Sequence, residues 1–282
     1  MSIRNRLISL VVIMSMLSSI LVGCSGEIGN EQGSVEVFIA ASLKQAMEEI
    51  VENYTVAHDN VKINLHADSS GTLLTQIEEG YECDIFFSAA TKQMDQLEQD
   101  GLLEEGTRKD VLNNQVVLIK GKGQKTEVKG LTSLDKAGSI ALAAGSVPVG
   151  KYTREALKNL GILKTSKEVS EITTTEISKA LGNVEISEQS NVSKVLLAVA
   201  EGSCEVGTVY LSDTDGYEDK VEIIETVSND LTGDVVYPLC LVKNEEADET
   251  QKMKAEEFYQ YLLSSQAKDV FAKYNFDIDL DK

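Results

Sequence analysis

Serines stand at four places where an apolar, strand-like run gives way to a helical pattern: Ser42 in VFIAASLKQAM, Ser69 and Ser70 in DSSGTLL, Ser146 in SVPVG, and Ser190 in SNV. The chemistry open to them is anion binding by neutral groups. The first turn of a helix leaves backbone N–H groups without partners and carries roughly half a positive charge. A serine hydroxyl adds a donor with little bulk, and Gly71 and Gly150 would let backbone come close to a ligand. Several such termini facing one cleft would hold an anion with no Lys or Arg. Each serine taken alone is also an ordinary N-cap. The spacing leaves both readings open. The cleft gains weight because the sites follow strand ends, the edge where open α/β sheets bind ligands.

Catalytic patterns are thin by comparison. Ser133 and Lys136 match Ser-x-x-Lys, a serine acyl-transfer arrangement, without the Ser-Asp-Asn or Lys-Thr-Gly partners that accompany it. His58 and His66 are the only histidines, and neither lies near a nucleophile motif. Asp213 to Gly216 places its glycine two positions early for a calcium loop and reads as a turn. Cys83, Cys204 and Cys240 fit no zinc or redox spacing and read as small buried hydrophobes, with no disulfide assigned. The expectation is a protein that is not an enzyme and has no cofactor and no metal cation.

The elements that would position these residues alternate. VEVFIA is a strand, and Leu43, Ala46, Met47, Ile50, Val51 and Tyr54 then form one helical stripe. VKINLHA, SSGTLLTQIEEG, CDIFFSAA and TKQMDQLEQDGLL continue strand, helix, strand, helix. NNQVVLIKGKG is a strand, after which SIALAAG, GKYTREALKNLG, NVSKVLLAVAEG and EVGTVYLSD repeat the alternation. DVVYPLCLVKN is a final strand, and one long helix runs from Asp248 to Tyr274. Such alternation means βαβ units and mostly parallel sheets. The lone last helix has no domain of its own, so the chain is expected to leave its first lobe and return to it. The boundaries are lobe 1 over 35–118 and 238–282, and lobe 2 over 119–237. The fold class is α/β, two Rossmann-like lobes joined by a two-segment hinge with a cleft between them.

The N-terminus reads differently. MSIRNR is a basic segment, LISLVVIMSMLSSILV is apolar and short for a membrane span, and together they read as an export signal over 1–23. LVGC, Leu21 to Cys24, resembles the bacterial lipobox, which implies cleavage before Cys24 and a lipid on its sulfur. Residues 24–34 then read as a polar tether. The expected location is extracytoplasmic, anchored to the membrane as a lipoprotein. The formal charge is -20, and loss of 1–23, with its two arginines and no acids, makes it -22. A chain this acidic, with no Trp, is a poor partner for nucleic acid.

AASL after a strand, SSGTL, DIFFSAA, VPVGKY with EAL and LG, and VGTVYLSD occur in that order. The set resembles the periplasmic molybdate-binding proteins of molybdate ABC transporters, which are type II solute-binding proteins, over almost all of 35–275. The resemblance implies a monomer that captures molybdate or tungstate by hydrogen bonds alone and delivers it to an ABC permease. It implies hydroxyl and N–H donors at Ser42 and Ser70, backbone N–H donors at Val149 and Val192, and the phenol of Tyr210, which by itself reads as a core tyrosine. Val149 stands where the family commonly has Ala, AAGS replaces an Asp/Asn-Pro loop, and the segment 162–189 is longer than usual. Sulfate, or a sensory role with a receptor partner, are the alternatives. Repulsion from the acidic surface is screened within about 8 Å. A site of donors alone favours a fully deprotonated anion, because an O–H left unpaired costs about 1–3 kcal/mol. Asp68, beside the second serine pair, is expected to point away.

Overall fold

The computed structural model describes residues 33–279, so the expected signal 1–23 and the lipid site Cys24 lie outside the described residues. The chain opens with β1 (Gly33–Ala40), a short 3-10 turn, α1 (Lys44–Ala57), β2 (Val61–Asp68), α2 (Ser70–Glu78), β3 (Ile85–Phe87), α3 (Thr91–Gln99) and β4 (Lys109–Asn114). It continues with β5 (Val116–Gly121), β6 (Ser139–Ala143), α4 (Pro148–Asn159), α5 (Thr174–Ala180), β7 (Glu185–Gln189), α6 (Val192–Ala200), β8 (Val206–Tyr210) and β9 (Val221–Thr226). It closes with α7 (Asn229–Thr232), β10 (Val235–Leu241), α8 (Glu249–Leu262) and α9 (Ser265–Lys273). β1 already pairs with β2 at Gly33 and Ser34, so the strand takes in the last two residues of the expected tether.

Two five-stranded sheets result, ordered β2-β1-β3-β10-β4 and β7-β6-β8-β5-β9. Each is mixed rather than mostly parallel. In the first, β1 runs parallel to β2 and β3, while β10 is antiparallel to β3 and β4. In the second, β6 runs parallel to β7 and β8, while β5 is antiparallel to β8 and β9. The antiparallel strands β10 and β5 are the ones that carry the chain across between sheets. A strand arriving from the other lobe is not bound by the right-handed βαβ crossover that makes its neighbours parallel.

The first crossing is a single residue. Asn114 ends β4 and Val116 begins β5 in the other sheet. Gln115 between them donates its N–H to Asn114 Oδ1 at 2.8 Å and accepts from Leu211 N–H at 2.8 Å, so neither backbone group is left without a partner where the ladders break. The second crossing runs from Thr226 to Val235. Val116–Gly121 belongs to the second sheet and Val235–Leu241 to the first. Pro238 sits inside β10, which is flanked on both sides, and the register slips between Tyr237 and Pro238. Proline has no N–H for a ladder, and a bulge is where a sheet tolerates it.

The last helix is broken. Ser264 caps α9 by accepting from Ala267 N–H at 3.3 Å, which separates it from α8. Apolar stripes on α1, α8 and α9 pack with β1, β3 and β10, where Val35, Val37, Ile39, Met47, Phe258 and Phe271 are fully buried.

Candidate functional site

A small pocket lies where the C-terminal ends of parallel strands from the two sheets face each other. Its wall includes Ser42, Ser70, Val149, Val192 and Tyr210, the five residues expected to bind, together with Asp68 and Ser69. They reach it from five separate strand ends, those of β1, β2, β6, β7 and β8.

The first lobe brings side-chain hydroxyls. Ser69 is the N-cap of α2, accepting from Thr72 N–H at 3.2 Å, so the capping reading holds for that residue. Ser70 does something else. It is completely buried, and its Oγ accepts from Ala89 N–H at 2.9 Å. With that lone pair used, the hydroxyl hydrogen remains to be given. Ser42 does not cap either: its 3-10 turn has no side-chain cap, and its Oγ lies 2.8 Å from the Tyr237 hydroxyl.

The second lobe brings backbone. α4 starts at Pro148 after Val147, with no side-chain cap, so the Val149 N–H in the first turn has no acceptor within its own helix. α6 is capped by Asn191, whose Oδ1 accepts from Lys194 N–H at 3.0 Å, and Val192 follows as the first helical residue. Ser146 and Ser190, expected as donors on this side, are exposed; Ser190 accepts from the Lys194 ammonium at 2.7 Å. Tyr210 ends β8 at 1% exposure, and its hydroxyl has no hydrogen-bond partner among the described residues. Burial first, then the neighbouring Tyr237 and Tyr152, raise its pKa well above the ordinary phenol value, so it keeps its proton as a donor.

Two expectations need correction. Asp68 does not point away; it lines the cavity. Its Oδ1 accepts from Ser69 N–H at 2.7 Å and from the Asn191 amide at 3.0 Å, which ties lobe 1 to the cap of α6 in lobe 2. Two donors on one oxygen spread the charge that would otherwise repel an anion. The glycines serve packing between elements and not approach to a ligand. A Cβ at Gly150 would meet the Ala144 carbonyl oxygen at 2.2 Å, and one at Gly71 would meet the Ser146 carbonyl oxygen at 3.0 Å across the cleft.

Arg154 was invisible to the serine-based reading, which sought a site without cations. It is fully buried and donates to the carbonyls of Ala143, Gly150 and Ile172, each at 2.8 Å. It thereby holds both ends of the turn that presents Val149. Burial lowers its pKa to about 10, with Glu188 opposing the fall, and it stays protonated at neutral pH. Its spacing, four residues after Gly150 and three before Leu157, puts it on the buried face of α4; that was the available signal. In the sequence Asp213 carries only a turn signal. It is buried, its Oδ2 accepts from Tyr210 N–H at 2.9 Å, and burial pushes its pKa up to about 7 against that hydrogen bond.

The catalytic alternative finds no support. Ser133 Oγ donates to Gly130 O at 3.0 Å and accepts from Lys129 N–H at 2.8 Å, so it is spent on a turn. His58 hydrogen-bonds Tyr54 O at 2.8 Å and His66 hydrogen-bonds the Glu36 carboxylate at 2.7 Å. Among the described residues no group of three or more His, Cys, Asp or Glu is placed to hold a metal ion, and Cys83, Cys204 and Cys240 are buried free thiols. A second, larger pocket is lined by Asp84, Glu104, Glu105 and Glu256, against the single cation Lys252, and suits an anion poorly.

Residues 35–277 match the profile of the family described as bacterial extracellular solute-binding protein. YvgL of Bacillus subtilis strain 168, provisionally named as an ABC transporter substrate-binding lipoprotein, is 32% identical over 272 residues, 94% of this chain and 96% of that protein. The molybdate-binding protein ModA of Escherichia coli strain K12 is 31% identical over 255 residues, 88% of this chain and 90% of that protein. Among solved structures, the periplasmic molybdate-binding protein of Azotobacter vinelandii superposes with a TM-score of 0.70 at 19% identity, covering 87% of this chain and 99% of that one. At that identity the likeness speaks for the two-lobed fold.

Proposed function

The chain belongs to the bacterial extracellular solute-binding protein family, and from that premise we propose that it captures molybdate or tungstate in the interlobe cavity and presents it to an ABC permease. The observation that carries the reading is the donor set. Two buried serines, two first-turn N–H groups and a phenol without a partner among the described residues line one small pocket. All of these can give a hydrogen bond to a doubly charged tetrahedral oxyanion, and donors fixed by the fold and removed from water count for more than the same groups in solution. The sequence relatives that bind molybdate support the choice of ligand.

In this reading the anion meets Ser42 and Ser70 first, and lobe 2 closes over it with Val149, Val192 and Tyr210. The lipid on Cys24 and the tether behind it would keep the loaded protein near its permease. Isothermal titration calorimetry with molybdate, tungstate, sulfate and hydrogen phosphate is the test. Tight 1:1 binding of molybdate or tungstate, at micromolar Kd or below, is expected, with sulfate weaker. Failure of both large oxyanions to bind at that level would overturn the proposal. Hydrogen phosphate is the informative competitor, because the Asp68 carboxylate on the wall can accept its proton.

A further inference from the structure

Ser42 does not choose the direction of its own hydroxyl. Asn114 Oδ1 accepts from Gln115 N–H at 2.8 Å, which fixes the amide so that Nδ2 faces the other way. That nitrogen donates to Ser212 Oγ at 2.7 Å and to the Tyr237 hydroxyl at 3.2 Å. Tyr237 is 0% exposed, and its other hydrogen-bond neighbour is Ser42 Oγ at 2.8 Å. An amide nitrogen cannot accept, so the Tyr237 proton has one acceptor available, and that is Ser42. If the direction were reversed, a buried O–H would be left unpaired. Ser42 therefore accepts from Tyr237, and its own hydrogen is free for the cavity. Ser70 is set the same way by Ala89 N–H. Burial raises the Tyr237 pKa well above the ordinary phenol value, so the proton that the chain requires is held.

We propose that Tyr237 is a positioning residue for anion capture: the chain Asn114 to Tyr237 to Ser42 presets the Ser42 hydroxyl as a donor toward the ligand. The same amide holds Ser212, two residues after Tyr210 on the lobe 2 side. One Asn at the single-residue crossing thus orients a ligand donor of lobe 1 and grips the turn that follows a ligand donor of lobe 2. The inference rests on the oxyanion reading above.

The test is a double-mutant cycle read by calorimetry with molybdate, using wild type, Ser42→Ala, Tyr237→Phe and the double variant, with thermal melts of the ligand-free proteins alongside. Tyr237→Phe keeps the ring and is expected to weaken binding about tenfold, the scale of one hydrogen bond to a charged group. In the Ser42→Ala background the same change is expected to add nothing, within about twofold. A merely structural role would instead lower affinity by the same factor in both backgrounds, which overturns the proposal, as does wild-type affinity in Tyr237→Phe. Asn114→Asp provides a second arm if Tyr237→Phe melts without cooperativity. An ionised Asp would draw the Tyr237 proton to itself and leave Ser42 to donate inward, so a loss of about tenfold or more is expected, and unchanged affinity overturns the idea. Should wild type bind neither molybdate nor tungstate, the oxyanion reading and this inference fall together. Should wild type bind and Ser42→Ala weaken it while Tyr237→Phe and Asn114→Asp do not, this inference alone falls.

Discussion

The two halves of the cavity hold the same kind of group by different means. On lobe 1 the donors are side chains, Ser42 and Ser70, and each oxygen is already accepting from the fold before any ligand arrives. On lobe 2 the donors are first-turn backbone N–H groups at Val149 and Val192, plus a Tyr210 hydroxyl with no partner among the described residues. Side-chain donors can be deleted by one substitution, whereas backbone donors survive a change of side chain and fail only when the backbone is displaced. What sets lobe 2 is therefore found behind it, in Arg154 clamping the turn before α4 and in Asp213 holding the end of β8. One half is encoded at the contact and the other in its support.

The sharpest probe of that contrast is pH. Asp213 has a folded pKa near 7, above the ordinary carboxylate value, so the folded state favours its neutral form. Its stabilising contribution is greatest below pH 4 and is lost as pH rises from about 4 to about 7, up to about 4 kcal/mol. Asp213→Asn is expected to remove this slope, measured as the difference between wild-type and variant unfolding free energies across that range. Equal slopes would mean that Asp213 is not held neutral by its burial at the end of β8. Next comes Arg154→Met, which strips three buried carbonyls of their donor and is expected to cost about 3 kcal/mol in chemical denaturation. It should also weaken molybdate binding, since it frees the turn that presents Val149.

Ser70→Ala attacks the other half directly. One charge-assisted hydrogen bond is lost, with about 2 kcal/mol of affinity, near thirtyfold, and the melting temperature of the ligand-free protein falls as well, because the buried Ala89 N–H loses its acceptor. The smallest effect is expected at the backbone donor itself. Val149→Ala keeps the N–H and should leave molybdate affinity unchanged within about twofold by calorimetry. If Val149→Ala weakened binding as much as Ser70→Ala, the division between a side-chain half and a backbone half would collapse.

Much of this was legible along the chain, and the gaps have a common cause. Ser42 and Ser70 announce themselves because a strand runs straight into a helix through small residues. Serine's preference for caps then made Ser146 and Ser190 look equivalent to them, yet both face solvent, and Asn191 takes the cap of α6. Arg154 escapes a reading of the sequence because a charged side chain in a helix normally lies on the wet face, and only the carbonyls of Ala143, Gly150 and Ile172 make its burial tolerable. The break at Gln115 was hidden in NNQVVLIKG, where strand character continues unbroken while the partners change from one sheet to the other.

The amino-acid order by itself determined the alternation of strand and helix, the two-lobed division and the donor types at the strand ends, because periodicity, small residues and uncapped first turns are local properties. Tertiary structure alone decided which donors face one another, which way each hydroxyl points, and where the chain changes sheets. Those depend on partners such as Tyr237 and Ser42, 195 residues apart, and Asn191 and Asp68, 123 apart, which only folding brings within hydrogen-bond reach.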